Sequence, residues 1–131
     1  MYVPPGFNTV TPYFFVRRAD TFVEFLVGAL GGTETCRSLR PDGFIANAQV
    51  RIGTSTVMVS EASDHYPPMT AAYYLYVEDA DAAVERALQH GAMPLMVVTD
   101  MPYGDRQGGV LDPHGNIWWL SQRTVQAPYT D

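Results

Sequence analysis

Few residues of this 131-residue chain carry ready-made chemistry, and most of those are rings and hydrogen bonders. The stretch "YGDR", residues 103–106, is the densest: Tyr103, Asp105 and Arg106 share a glycine-containing loop. A planar guanidinium there can hold an anionic or carbonyl group in bidentate fashion. The same residues can instead brace their own loop, with Asp105 or Asp112 as the partner of Arg106. The three histidines offer less. His65 follows Asp64 in "SDHYPPMT", but neighbours in an extended segment point apart, which spoils them as an acid–base pair. His90 falls at an expected helix C-terminus, where a cation suits the helix dipole. His114 lies in the turn "DPHGN", a place for turn geometry. Cys36 is the single cysteine and reads as a small, partly buried side chain.

The elements that position these residues come in two copies. A shift of 61 positions lays Tyr13 on Tyr74, Val16 on Val77, Asp20 on Asp81, Val23-Glu24 on Val84-Glu85, Gly43 on Gly104 and Ser60 on Ser121. Each half opens with an aromatic and β-branched run, "TPYFFV" or "AAYYLYV", which favours a strand. A helix follows, with Asp20 expected as one cap and Asp81 as the other. Phe22, Val23, Leu26, Val27 and Leu30 make the first apolar stripe, before Gly31-Gly32. Val84, Ala87 and Leu88 make the second, before Gly91. Three strands complete each half, separated by "RPDG" and Gly53 in the first and by "MPYGDRQGG" and "DPHGN" in the second. The fold class is therefore α+β: two βαβββ modules forming a curved, cupped mixed sheet with helices on its outer face. The modules span about 8–62 and 71–123, joined by a linker over 63–70, and make a single domain over 1–131. The proline-punctuated flanks "MYVPPGFN" and "TVQAPYTD" are expected to pack loosely or to reach toward a partner.

Strand alternation then assigns the faces. Phe14, Val16, Leu75, Val77, Val57, Val59, Trp118 and Leu120 belong beneath the helices. The opposite face receives Tyr13, Gln49, Arg51 and Met58 from one half, and Tyr74 and Trp119 from the other. Together with Tyr103 and Arg106 at the rim, these make an amphipathic hollow suited to a planar organic molecule. The alternative is that these side chains fill the hollow or cover a dimer contact.

The paired units, with "YVEDADAAVERALQHGA" and "YGDRQGGVLDPHGNIWWLSQ", resemble the vicinal oxygen chelate superfamily, and its glyoxalase-like subgroup in particular. That superfamily holds glyoxalase I, extradiol dioxygenases, and the bleomycin and fosfomycin resistance proteins. The resemblance covers about residues 8–123. It implies a cupped site, a homodimer and, in metal-dependent members, ligands on the first and last strand of each module. The matching positions are Thr11, Met58, Ala72 and Trp119. A divalent cation asks for imidazole, carboxylate or thiolate, and these four offer a hydroxyl, a thioether, a methyl and an indole. Among neighbouring positions only Glu61 is a carboxylate. Asn47 and Gln49 stand where the subgroup often has His and Glu. No metal and no other cofactor is expected.

The bulk properties narrow the partners. A net charge of −6 with no basic run argues against nucleic acid, and no apolar stretch reaches membrane-spanning length. One cysteine suits a reducing compartment, so the expected location is cytoplasmic. The expected role is metal-free binding of a small, partly aromatic molecule, as in drug or toxin sequestration. A lyase, isomerase or dioxygenase of the glyoxalase type, and a structural or regulatory dimer, are the alternatives.

Overall fold

The computed structural model describes residues 1–130. They form two compact units that divide between Met69 and Thr70, at the end of the expected linker. The first contains β1 (Tyr13–Val16), α1 (Ala19–Gly28), β2 (Thr33–Leu39), β3 (Ile45–Ile52) and β4 (Ser55–Glu61). The second contains β5 (Ala72–Tyr76), α2 (Ala80–Gln89), β6 (Met93–Asp100), β7 (Asp105–Leu111) and β8 (Ile117–Arg123). Both are βαβββ modules, as the repeat predicts. The expected mixed sheet is two sheets, one per module, ordered β1-β4-β3-β2 and β5-β8-β7-β6. In each, the first and last strands of the module pair in parallel and the other pairs are antiparallel.

Each helix covers one face of its own sheet. Phe14, Val16, Val50, Val57 and Val59 are buried beneath α1, which contributes Phe22, Val23, Phe25 and Leu26. A fully buried Phe or Leu contributes about 1.5–3 kcal/mol, so this cluster is the main stabiliser of the first module. Phe25 takes the inward place expected of Val27, which lies exposed. The second core is thinner. Trp118 and Leu120 are buried as predicted, but Leu75, Val77 and Val84 are only half-buried, and Leu88 is exposed. The reason is that α2 is alanine-rich and brings only Ala80 and Ala87 fully inside.

The helix starts differ from the expected caps. Arg18 holds the N-cap position of α1 with φ 58° and no side-chain bond, and Asp20 lies within the first turn. The orphan N–H groups of Arg18 and Ala19 donate instead to the Glu61 carboxylate at the end of β4, at 3.0 and 2.9 Å. In α2 the N-cap is Asp79, which accepts from the Ala82 N–H at 3.0 Å, and Asp81 follows in the first turn. Gln122 Oε1 accepts from the Ala80 N–H at 3.1 Å. Glu61 and Gln122 are 61 residues apart, as are Ala19 and Ala80, so the duplication extends to how each strand end caps its helix.

Among the described residues, each flank is largely exposed and is tied to its module at a few points. Gly6 O accepts from Thr56 Oγ1 at 2.6 Å, and Asn8 Nδ2 donates to Ser55 Oγ at 2.9 Å, which lays the N-terminal flank along β4. The C-terminal flank returns to the second sheet, as described below. The first part of the linker belongs to the first module: Ser63 and Tyr66 close a turn through two hydrogen bonds, and the Met69 N–H donates to Phe15 O.

Candidate functional site

In each module, the sheet face away from the helix gathers the rings. In the first, Tyr13 lies opposite Met58, and Met58 opposite Gln49, across β1-β4-β3. Their polar atoms form one directional ladder. Ser60 Oγ donates to Ala46 O at 2.7 Å, so the Tyr13 hydroxyl must donate to Ser60, also at 2.7 Å. Asn47 Nδ2 donates to the Tyr13 oxygen at 3.3 Å, and Gln49 Nε2 to Asn47 Oδ1 at 3.2 Å. Along the edge strand the rings stack, Tyr13 on Phe15 at 4.8 Å and Phe15 on Tyr66 at 5.6 Å between centroids. Beside them opens a cavity of about 450 Å³, lined by Tyr13, Phe15, Arg40, Ala46, Ser60 and Tyr66 among others.

A break in the duplication helps to shape this cavity. Between Asn47 and Ile45, β3 carries one residue more than β2, and that residue is Ala46. In the second module Thr99 pairs with Gln107 and Asp100 with Arg106, and the neighbouring irregularity gives the extra residue to β6, between Met96 and Thr99, instead of to β7. A bulge bends its strand and re-aims local groups; here it turns Ala46 O to Ser60 and Ala46 itself to the cavity wall.

The second module's open face is occupied by its own chain. Tyr74 lies opposite Trp119, and Trp119 opposite Gly109. A Cβ at Gly109 would sit 2.5 Å from the indole, so only glycine lets the ring lie flat across β7. Next to it Asp105, 1% exposed, accepts from the Tyr74 hydroxyl, from Tyr129 Oη at 2.7 Å and from Arg123 Nη1 at 3.0 Å. Burial alone would raise the Asp105 carboxyl, but these three donors hold it below the usual carboxylate range. The Tyr74 phenol is pushed up to about 12 by burial and by its bond to Asp105, so it is a donor and not a base at neutral pH. The Tyr76 hydroxyl donates to Tyr129 at 2.7 Å. Arg123 lies over the Tyr129 ring at 4.1 Å and donates to Ala127 O at 2.5 Å. The C-terminal segment is thereby strapped over the sheet.

The predicted site residues divide accordingly. Tyr13, Gln49 and Met58 come together on the first module, and Tyr74, Tyr103 and Trp119 on the second, where the Tyr103 hydroxyl donates to Gln107. Arg51 is exposed and rests against the N-terminal flank, its Nη1 3.2 Å from where a Gly6 Cβ would stand. Arg106 turns to the helix side and pairs with Asp81 at 2.8 Å and Asp100 at 3.1 Å. It is the brace of the loop, with those two partners in place of Asp105 and Asp112. Asp112 instead accepts from Trp118 Nε1 and from the His114 and Asn116 N–H groups, which fixes the "DPHGN" turn. Phe15, Tyr66, Arg40 and Tyr129 join these faces beyond the sequence reading, and Asp105 serves Tyr74, Tyr129 and Arg123 in place of Arg106. Phe15 was legible from strand alternation; the others depend on how a linker, a turn and a tail return to the sheets. Thr11, Met58, Ala72 and Trp119 do not make a donor set for a divalent cation, and among the described residues no group of three or more His, Cys, Asp or Glu could hold one.

Comparison with known proteins agrees with this architecture. The sequence model of the Glyoxalase/Bleomycin resistance protein/Dioxygenase superfamily matches residues 6–120. The uncharacterized protein Mb0911c of Mycobacterium bovis is 33% identical over 127 residues, covering 86% of this chain and 82% of that protein. Among solved structures, TioX from Micromonospora sp. ML1 superposes with a TM-score of 0.71 at 24% identity, over 87% of this chain and 98% of that one. TnmS3, an antibiotic binding protein from Streptomyces sp. CB03234, superposes with a TM-score of 0.72 at 21% identity, over 94% and 98%. With the duplicated βαβββ fold and a family match over most of its length, the chain belongs to the Glyoxalase/Bleomycin resistance protein/Dioxygenase superfamily.

Proposed function

We propose that this protein binds a small, partly aromatic organic molecule without the help of a metal ion, as a cytoplasmic homodimer of the sequestering kind. The observation that carries the reading is the cavity of about 450 Å³ beside the stacked rings of Tyr13, Phe15 and Tyr66. That volume falls in the range of small-molecule pockets, and an aromatic lining offers a flat ring offset-stacked or edge-on contact. TnmS3, which shares the fold, is an antibiotic binding protein. The donor chemistry at Thr11, Met58, Ala72 and Trp119 supports a metal-free site.

Calorimetric titration with planar polycyclic aromatics and glycopeptides tests the reading. Saturable binding of at least one compound is expected, weakened roughly tenfold or more in Phe15→Ala through loss of a stacking partner. A stoichiometric transition metal in the purified protein would point to the lyase, isomerase or dioxygenase reading. No binding by any compound would favour the structural reading, which the strapped face of the second module supports.

A further inference from the structure

We infer that the ligand of the first module's cavity carries an anionic oxygen, a carboxylate or phenolate on its aromatic ring, and that Arg40 receives it. The inference rests on the proposed binding of an aromatic molecule and adds the charge of that molecule. The polar groups of the cavity wall are mostly spent on one another. The Tyr13 hydroxyl and Ser60 are engaged in the ladder that ends on Ala46 O, and Ser63 Oγ accepts from the Tyr66 N–H. The Glu61 carboxylate, 8% exposed as a residue, is committed to the two N–H groups at the start of α1.

Arg40 is different. One of its N–H groups, on Nη1, reaches Glu61 O at 3.3 Å. Its Nε is buried and makes no hydrogen bond, and it forms an ion pair with the exposed Asp42 carboxylate at 3.6 Å. The Arg40 backbone is fixed by the "RPDG" turn, in which its N–H donates to Phe44 O at 2.8 Å and the Gly43 N–H donates to Arg40 O at 2.9 Å. The guanidinium lies over the Phe44 ring, 5.8 Å from the centroid. A guanidinium has five donors and no acceptor, so the unused hydrogen-bonding capacity of this cavity is donating and positive. Nε is closed off beside Asp42, so the donors open to a ligand are the remaining N–H groups of the Nη atoms, Nη2 making no hydrogen bond among the described residues. The complement of an aromatic wall ending in such a cation is a flat ring bearing an acceptor oxygen of negative charge.

The experiment compares 1-naphthoic acid with 1-naphthamide, which share a ring and differ in charge. Both are titrated into the wild-type protein by calorimetry, with amide chemical shifts of Phe15, Ser60 and Tyr66 followed by NMR. The acid is expected to bind roughly tenfold more tightly, the worth of one charge-assisted hydrogen bond. In Arg40→Gln the preference should vanish while the amide keeps its affinity, and Arg40→Lys should restore part of it. Equal binding of acid and amide to the wild-type protein overturns the assignment of charge and leaves aromatic binding standing. Binding of neither overturns both. Because the acid–amide comparison is made on the wild type, it holds even if a variant fails to fold.

Discussion

Asp105 is the carboxylate on which the second module's open face converges, and its three donors make it a pH-sensitive group. Its folded pKa lies below the unfolded value near 3.9, so its contribution is complete above that value and is lost as pH falls through the folded pKa. Tyr74 works at the other end. Its folded pKa of about 12 exceeds the unfolded value near 10, so its contribution is complete below pH 10 and is lost as pH rises toward 12. Asp105→Asn removes the ion pair with Arg123, whose carboxylate partner is fully buried, and is expected to cost about 3 kcal/mol. Thermal melts from pH 2 to 7 should show a flatter acid limb for the variant than for the wild type; parallel limbs would mean that other carboxylates set it.

At the scale of elements, the two modules tie strand to helix in the same way. In both, the last strand ends on a side chain that accepts from the first N–H groups of the helix, Glu61 in one and Gln122 in the other. The chemistry required is an acceptor, not a charge. Glu61→Gln is therefore expected to cost under about 1 kcal/mol, and Glu61→Ala about 2 kcal/mol, since it strands two N–H groups. Denaturant midpoints at constant m-value would measure both. The order of elements and the outward rings were readable from the sequence, because periodicity and turn residues are local. The caps were not. Asp20 and Asp81 are each the second residue of their helix, whereas the cap positions fall to Arg18, at φ 58° with its N–H satisfied by a distant strand end, and to Asp79.

For the whole molecule, the two modules are alike in fold and unlike in use. The first leaves a cavity beside its rings, whereas in the second Tyr129 and Arg123 strap the C-terminal segment across the matching face. A titration should accordingly give one aromatic ligand per chain in spite of the duplication. Two per chain would show that the strap yields to ligand. The sequence by itself determined the duplication, the βαβββ order and the rings placed away from the helices. All of these follow from residue type and spacing along a strand. Only the tertiary structure decided that Arg106 braces its loop, that Arg40 and Tyr66 line the cavity, and that the tail returns to Asp105. Those outcomes rest on contacts between residues far apart in the chain, where the choice among several acceptors for one donor is made by geometry that no local pattern carries.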